Sequence, residues 1–461
     1  MSSPTTPLII LILSSIITPV LAHDNGHDAA TMSDGGSQLE ALPPSYVDLA
    51  DHAAAMYVHI TLMVIAWVLV LPLAVMLSLA RSRYTLASQS VFLAINALGV
   101  LVGTIYNAAT PDLYPNNAHH KAGWAFTWVA LAQLPTMVSI DIGFAVITGL
   151  EILFAVYGRL FEGRAIYGGM AHWVKGGVFF WLGIFTLGRW SGSFGELCWA
   201  WNARTRGTQD KWCPSAELVE SALIFSYGAT NIFLEHLSST DKTWTPRDLE
   251  HVSITILFIG GGLLGMLVES TRARDLLNTT GTEVASPAHE ATRTDGERTE
   301  KQNAAEPPKH YDFSINPIPA LVILLLGTTM SSHHQSTMDS TMMHKQWGNL
   351  LAGASLARGF TYVLVYLKPP RSILPSRPPT ELVTSFCLIT GGIIFMASST
   401  DTVEGLRHYN LDAIFVYTVA TGIVGLLMAW VIIVLAVKGA AVRQQRRAQT
   451  STWTSNERHG V

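Results

Sequence analysis

Histidines at the ends of apolar segments are the residues of this chain best suited to chemistry. The sequence contains 16 histidines, and all but His289, His310 and His459 lie outside its polar linker and tail. Almost all of the other thirteen lie at or near the ends of long apolar runs. Imidazole nitrogen is a ligand for haem iron, copper and zinc. Histidines near a membrane surface therefore suggest a cofactor or metal site there.

The composition predicts a polytopic membrane protein. Only 13% of the 461 residues are charged, whereas 49% are hydrophobic, and such long apolar runs are typical of membrane helices. We therefore expect an all-α helix bundle whose main partner is the lipid bilayer. The net charge of −4 creates no strong overall field, so a nucleic-acid partner is not expected.

Four segments outside the apolar runs have their own signatures. Residues 1–22 have an apolar centre and a small-residue end, which indicates a signal peptide, although an uncleaved first helix is the alternative because basic residues are missing. Residues 23–50 are rich in turn formers and predict a flexible exoplasmic arm. Residues 270–312 predict a disordered cytosolic linker. Residues 438–461 form a basic cytosolic tail.

Between these segments the sequence predicts about eleven transmembrane helices. A ten-helix alternative treats the third and fourth runs as one long helix. The eleven runs are 56–80, 86–106, 122–139, 142–157, 173–190, 217–237, 249–269, 313–330, 345–367, 381–399 and 412–437.

The distribution of Lys and Arg favours eleven spans over ten. With eleven spans and an exoplasmic N-terminus, most cationic residues fall in cytosolic segments, as the positive-inside rule requires, and ten spans reverse the bias. The C-terminus is then cytosolic. Arg189 and Arg358 come near cytosolic helix ends, and we expect their side chains to snorkel to that interface. In this topology the thirteen histidines all fall at or near the exoplasmic face.

The first histidine group predicts a haem site. His52 and His59 are seven residues apart on one face of the first helix, and the other two histidines lie at the start of the third helix. Gly99 and Gly103 lie on the helix between and would let a flat macrocycle approach the backbone. An interfacial hydrogen-bond cluster is the alternative. The four histidines are His52, His59, His119 and His120.

A second group pairs carboxylates with imidazoles across a short loop. Glu235 and His236 close the sixth helix, and Glu250 and His251 open the seventh. Carboxylate and imidazole together suit zinc or non-haem iron. Helix capping by the glutamates is the alternative.

A third group combines thioethers with imidazoles in the segment 330–348, which we expect to be an exoplasmic loop. Methionine sulfur beside histidine suits a cuprous ion, and no cysteine competes in this segment. The predicted copper ligands are His333, His334, His344, Met338 and Met343.

Three polar residues lie inside predicted spans. Glu220, Asn231 and Glu269 interrupt otherwise apolar helices. Because burying such groups in a membrane is costly, they are functional candidates by default.

The sequence resembles the fungal Ytp-type family of transmembrane proteins. The stretches that carry the resemblance are HAAAMYVHITLMVIAWVLVLPLAVMLSLARSR, TIYNAATPDLYPNNAHHKAGW, GVFFWLGIFTLGRWSGSFGELCWAWN, LEHLSSTDKTWTPRDLEHVSITILFIGGGLLGML and MHKQWGNLLAGASLARGFTY. In that family an amino-terminal domain of unknown function resembles the membrane domains of b-type cytochromes and ferric reductases. The resemblance implies an amino-terminal four-helix membrane domain at 51–158 and a Ytp-like domain that begins with 159–269 and ends with four helices in 313–437.

The resemblance also implies that haem ligation falls on His52, His59, His119 and His120. One departure from the dihaem cytochromes is that this chain has histidine pairs near one membrane face only, so a second haem is not expected.

Three classes of function follow from these residues. The leading hypothesis is an oxidoreductase or electron-transfer protein with haem b or copper at the exoplasmic face, acting on a metal ion or small molecule. A zinc-dependent intramembrane hydrolase is the second, with His236, His251 and His344 as ligands and Glu235 or Glu250 as base. A non-catalytic metal carrier is the third. The signal peptide implies a membrane of the secretory pathway: endoplasmic reticulum, vacuole or plasma membrane.

Overall fold

The described part of the chain is helical throughout, which confirms the all-α prediction. The computed structural model describes residues 52–110, 123–124, 127–128, 166–195, 198–203, 214–238, 246–278, 313–333, 335 and 337–458. The longer helices are α1 (Ala53–Leu79), α2 (Thr85–Ala109), α3 (Ile166–Ser191), α4 (Ala216–Ser238), α5 (Pro246–Glu269), α7 (Ile318–Ser331), α8 (Met338–Leu367), α9 (Pro379–Ala397) and α11 (Ala413–Arg458), and the two short ones are α6 (Thr271–Asn278) and α10 (Thr400–His408).

Within the described ranges, six helices are long and apolar enough to cross a membrane. They are Ala53–Leu79, Thr85–Ala109, Leu249–Glu269, Met338–Leu367, Pro379–Ala397 and Ala413–Ala448. Each contains about the 20 residues that a hydrocarbon core of about 30 Å requires, or more. The chain is thus a polytopic membrane protein. The predicted span 142–157, most of the span 122–139, the signal peptide, the arm and most of the linker lie outside the described residues.

The first two helices form a hairpin with its own small core. Ala66, Leu71 and Val75 of α1 are buried against Phe92 of α2. The indole of Trp67 lies edge-on to Phe92, and its Nε1–H donates to Asn96 Oδ1 at 2.9 Å. A buried amide on α2 is therefore satisfied by an aromatic donor on α1.

A hydrogen bond next to a proline connects this hairpin to the last helix. Residues Ile65–Val70 of α1 form a π-helical turn, and Pro72 follows it. Pro72 has no N–H to donate to the carbonyl of Val68, four residues earlier. The indole Nε1–H of Trp430 on α11 donates to that carbonyl at 3.0 Å. The last helix thus stabilises a backbone break in the first one.

The remaining long helices form a ring. In the ring α3 packs against α9, α9 against α8, α8 against α7, α7 against α5, α5 against α4, and α4 against α3. Helix α3 packs mainly on α9, whereas α4 packs mainly on α5. The loose contact between α3 and α4 leaves space inside the ring.

Small residues set the closest helix contacts. A Cβ atom at Gly392 of α9 would lie 2.6 Å from the carbonyl oxygen of Gly176 on α3, and one at Gly327 of α7 would lie 2.6 Å from that of Gly348 on α8. Glycine permits such backbone approach between membrane helices. Trp347 and Phe395 stack in the core beside these contacts, with ring centroids 4.0 Å apart.

The Trp430 contact predicts a stability effect that depends on Pro72. Trp430→Phe leaves the Val68 carbonyl without the indole donor, which should cost about 1 kcal/mol. The cost should shrink in a Pro72→Ala background, because that substitution restores a backbone N–H within the helix. Thermal unfolding of the purified protein and the three variants, treated as a double-mutant cycle, measures the coupling. An equal loss in both backgrounds would contradict this account.

A buried charge cluster below an intramembrane cavity

Five charged side chains meet inside the helix ring, and we call them the charge cluster. Its members are Arg189, Glu217, Glu220, Arg358 and Glu381. Two contacts are short: Arg189 Nη2 lies 2.8 Å from Glu217 Oε1, and Arg358 Nε lies 2.8 Å from Glu381 Oε1. A longer contact of 3.3 Å joins Arg358 Nη1 to Glu220 Oε1.

Helical spacing brings these side chains together. Glu217 and Glu220 are three residues apart at the start of α4 and therefore share a face, as do Arg358 and Tyr362 on α8. Tyr362 donates its hydroxyl hydrogen to Glu217 Oε1 at 3.5 Å. Arg358 Nη2 also donates to Thr186 Oγ1 at 3.2 Å. The cluster thus joins the end of α3, the start of α4, the second half of α8 and the start of α9.

Arg189 makes further contacts besides its ion pair with Glu217. Its Nε–H donates to the carbonyl oxygen of Trp199 at 2.7 Å, and its guanidinium carbon lies 4.0 Å from the ring centroid of Trp201. A planar guanidinium suits such mixed contacts because it donates in its plane and stacks on its face. The charge of Arg189 is therefore engaged on several sides.

The predicted snorkelling of Arg189 and Arg358 is wrong. Their side chains are only 9% and 6% exposed, and they point into the bundle. The physical reason is that carboxylates on α4 and α9 offer a counter-charge within the bundle, so the guanidinium groups need not reach the interface.

The cluster contains one more carboxylate than guanidinium. Arg189–Glu217 and Arg358–Glu381 are the two short pairs, which leaves Glu220 with the longest contact. The Arg358–Glu381 contact is short, but its angle is not that of a hydrogen bond, and Glu381 Oε2 has no hydrogen-bond donor among the described residues. That pair is therefore held by charge.

A cavity of about 950 Å³ extends from the charge cluster into the ring. Its walls belong mainly to α3, α4, α5 and α7, with Trp347 and Phe395 at one end, and most of the lining side chains are apolar. Glu220 and Arg189 line it, whereas Glu217 and Glu381 do not. Volumes of this size are typical of small-molecule sites.

Of the three intramembrane polar candidates, two line the cavity. Glu220 lies beside Arg358, and Asn231 donates from Nδ2 to Thr255 Oγ1 at 2.8 Å. Glu269 instead accepts hydrogen bonds from Ser215 at 2.7 Å and Ser314 at 2.6 Å. It therefore ties α5 to the segments that precede α4 and α7.

Several predicted metal ligands share the opposite end of the ring, which we call the histidine end. Glu250 Oε2 lies 3.0 Å from His333 Nδ1, and His251 lines the cavity. The ring of His344 lies 5.9 Å from that of His172, and its Nδ1 is 2.7 Å from the carbonyl oxygen of Ser340. The structure thus brings residues of the second and third groups to one end.

The copper segment is not a loop over its whole length, because α8 begins at Met338. Met338 is 73% exposed, whereas Met343 is completely buried in the core. The two thioethers therefore lie in different environments. Among the described residues, no three His, Cys, Asp or Glu side chains are grouped so as to hold a metal ion.

The haem candidates are described in part. His52 precedes α1 with a φ of 73° and is exposed. His59 Nδ1 lies 2.7 Å from the carbonyl oxygen of Gly99, and a Cβ atom at Gly103 would lie 2.7 Å from the same nitrogen. Gly103 thus accommodates the His59 imidazole.

The other predicted ligands lie outside the described residues or at the end of α4. His119, His120 and His334 lie outside the described residues. Glu235 and His236 lie in the last turn of α4.

The cluster predicts a large stability difference between two variants that both remove a contact. Arg358→Leu leaves Glu381 and Glu220 without their counter-charge and should cost about 3–5 kcal/mol. Thr186→Val, the matched control, removes one hydroxyl acceptor from the same guanidinium and should cost about 1 kcal/mol. Thermal unfolding in detergent measures both. Equal midpoints for the two variants would show that the charges do not stabilise the bundle.

Comparisons with known proteins agree with this architecture. An uncharacterised membrane protein of Schizosaccharomyces pombe is 39% identical over 298 residues, which are 64% of this chain and 55% of that protein. An uncharacterised membrane protein of Saccharomyces cerevisiae is 38% identical over 311 residues, 64% of this chain and 46% of that protein. Protein YTP1 of Saccharomyces cerevisiae is 23% identical over 203 residues, 44% of this chain and 33% of that protein. The chain thus spans about half the length of the curated relatives it matches, or less.

Two families match successive parts of the chain. Residues 41–142 match a domain of unknown function, DUF2427, and residues 143–439 match the family described as Protein YTP1-like, C-terminal. No solved structure is significantly similar to the chain. Since the second match covers more than half of the sequence, this integral membrane protein belongs to the YTP1-like family, in agreement with the resemblance noted from its motifs.

Proposed function

We propose that this membrane protein binds a small amphipathic molecule in the cavity of the helix ring and carries it between the two ends of the bundle. The observation that supports this most directly is the cavity of about 950 Å³ whose apolar walls end on Glu220 and Arg189. Apolar walls suit an apolar body, and the Glu220 and Arg189 side chains at the cluster end suit a polar head.

The length of the cavity supports carriage. On α3 the lining residues run from Val174 to Arg189, and on α4 from Ala216 to Asn231. At 1.5 Å per residue each wall is roughly 22 Å long. This is most of the roughly 30 Å thickness of a hydrocarbon core. A molecule inside this cavity would therefore be able to move through most of the thickness of the bilayer while protein surrounds it.

The first test fills the cavity and measures binding. Leu223 lines the cavity and is 58% exposed, so Leu223→Trp should weaken binding of the neutral apolar dye Nile red about tenfold by occupying its space. Leu356→Trp is the matched control, because Leu356 is 55% exposed on α8 but does not line the cavity. Fluorescence titration of the purified full chain measures both. If the two variants bind the dye equally, the cavity is not its site.

A second candidate function is haem or metal chemistry at the exoplasmic face, and it is favoured by the geometry of His59. Because a carbonyl oxygen only accepts, the 2.7 Å contact with Gly99 requires a proton on Nδ1, and in the neutral imidazole the lone pair is then on Nε2. Histidine ligands in proteins are commonly oriented by such a bond through the other ring nitrogen. His59 thus fits an axial haem ligand, with His52, His119 or His120 as candidates for the second. Haem b would supply one-electron chemistry.

Metal handling would use the histidine end. The Glu250–His333 contact and His251 at the cavity wall suit a zinc or copper site, with His236 and His344 as further candidates. In the catalytic version, Glu235 or Glu250 would activate a zinc-bound water. In this proposed function, as in the topology predicted from Lys and Arg, the N-terminus and the histidine end are exoplasmic and the basic tail is cytosolic.

Cofactor analysis of the purified protein tests the second candidate. A haem protein should show a Soret band that His59→Ala removes, because an axial ligand is lost. His408→Ala is the control, since His408 is exposed on α10. Bound zinc or copper that His251→Ala removes would support the metal version instead. A colourless protein without stoichiometric metal would rule out this candidate and leave the cavity proposal standing.

A further inference from the structure

We propose that a proton and a lipophilic organic cation compete for the carboxyl group of Glu220, so that entry of the cation into the cavity releases the proton. The inference rests on the proposed function, since it names the ligand class and the coupling of the same cavity. It assigns to Glu220 a role that differs from those of the other two carboxylates.

The pairing of charges singles out Glu220. Glu217 has Arg189 at 2.8 Å and the Tyr362 hydroxyl at 3.5 Å, and Glu381 has Arg358 at 2.8 Å. Glu220 accepts a hydrogen bond of 3.3 Å from Arg358 Nη1, but it shares that guanidinium with Glu381. Two guanidinium groups neutralise two carboxylates, and a third buried negative charge is costly unless it gains a counter-charge or a proton.

Access to the cavity also singles out Glu220. Its side chain is 15% exposed and lines the cavity, whereas those of Glu217 and Glu381 are 1% and 0% exposed and do not line it. Glu220 is thus the cluster carboxylate that an occupant can contact. It is also the one from which a proton can leave through the cavity.

Among the described cations on the cavity wall, neither Lys175 nor Arg189 forms an ion pair with Glu220. Lys175 lines the cavity at the other end of α3, 14 residues before Arg189, which is roughly 21 Å along the helix. Arg189 is engaged by Glu217, a carbonyl oxygen and an indole ring. The titratable or charged groups that face Glu220 or its cavity are Glu217 on its own helix, Lys175 and Arg189 on α3, Tyr227 on α4, His251 on α5, Arg358 and Tyr362 on α8, and Glu381 on α9.

The walls select an organic cation over a metal ion. Aromatic rings line the space above Glu220, and their faces attract organic cations. Hard metal ions need several oxygen ligands, and Glu220 is the carboxylate that the described wall offers. The aromatic lining residues are Phe179, Trp181, Phe185, Trp199, Tyr227, Phe258, Trp347 and Phe395.

The exchange conserves charge. The neutral carboxyl of Glu220 loses its proton to water, and the resulting carboxylate pairs with the incoming cation. The cluster and its occupant together stay neutral before and after the exchange. Since no net charge is buried at either stage, both states are stable inside the bilayer. A carrier with such a site would exchange protons for cations.

The test uses two ions of similar size and opposite charge, tetraphenylphosphonium and tetraphenylborate, with the purified full chain. Tetraphenylphosphonium should displace Nile red, release about one proton per bound ion in weakly buffered solution, and bind more tightly as the pH rises. Tetraphenylborate should release none. Glu220→Gln should weaken tetraphenylphosphonium binding about tenfold and abolish proton release, with Nile red binding retained.

The folding of the variants is checked independently. Glu220→Gln removes the carboxylate that has only a shared guanidinium and should leave the unfolding midpoint unchanged or higher, whereas Glu381→Gln breaks the short pair with Arg358 and should lower it. If proton release persists in Glu220→Gln and disappears in Glu381→Gln, the assignment to Glu220 is overturned. Equal binding of both ions, unaffected by Glu220→Gln, overturns the inference but not the proposed function. If neither Nile red nor the cation binds, the proposed function fails and the inference fails with it.

Discussion

The burial of two guanidinium groups inside a membrane bundle is the constraint on which the rest of this structure depends. A charge in that environment must be paired, because its loss of hydration is not otherwise offset. Arg189 and Arg358 are paired with carboxylates from α4 and α9 at 2.8 Å, and Tyr362 and Thr186 complete the contacts. These pairs hold the end of α3, the start of α4, α8 and the start of α9 at one place, and they define one end of the ring.

The cavity is a consequence of how the ring closes. Glycine contacts bring α3 close to α9 and α7 close to α8, while α3 and α4 each pack mainly on a different neighbour. The space between them is lined by apolar side chains and ends on the odd carboxylate of the cluster. The unequal numbers of carboxylates and guanidinium groups in the charge cluster therefore give the cavity a chemically distinct end. The amino-terminal hairpin lies outside this ring and is attached through Trp430 and the Val68 carbonyl.

Much of the fold and part of the site could be predicted from sequence patterns. Nine predicted apolar runs correspond to described helices, and Glu220 and Asn231 stood out because polar residues inside apolar runs are rare. The prediction failed for the arginines, since Arg189 and Arg358 lie near the ends of their runs and snorkelling is the usual outcome there. A signal was available: Glu217 and Glu381 lie near the ends of neighbouring runs, which in the predicted topology fall on the same side of the membrane as the arginines. Spacing along one helix cannot show which carboxylate lies opposite which guanidinium.

The sequence by itself determined that this chain is a helical membrane protein of the YTP1-like family and which residues are chemically capable. Composition and hydrophobic periodicity suffice for that, because bilayer thickness and backbone hydrogen bonding leave few alternatives. The tertiary structure decided which of these side chains contact one another. It placed His59 on a Gly99 carbonyl, brought Glu250 to His333 and separated Met338 from Met343. It also gave Glu217 and Glu381 the short ion pairs, so that Glu220 shares Arg358 with Glu381. These outcomes depend on which helices are adjacent and at what depth, and adjacency arises from packing between segments that are distant in sequence.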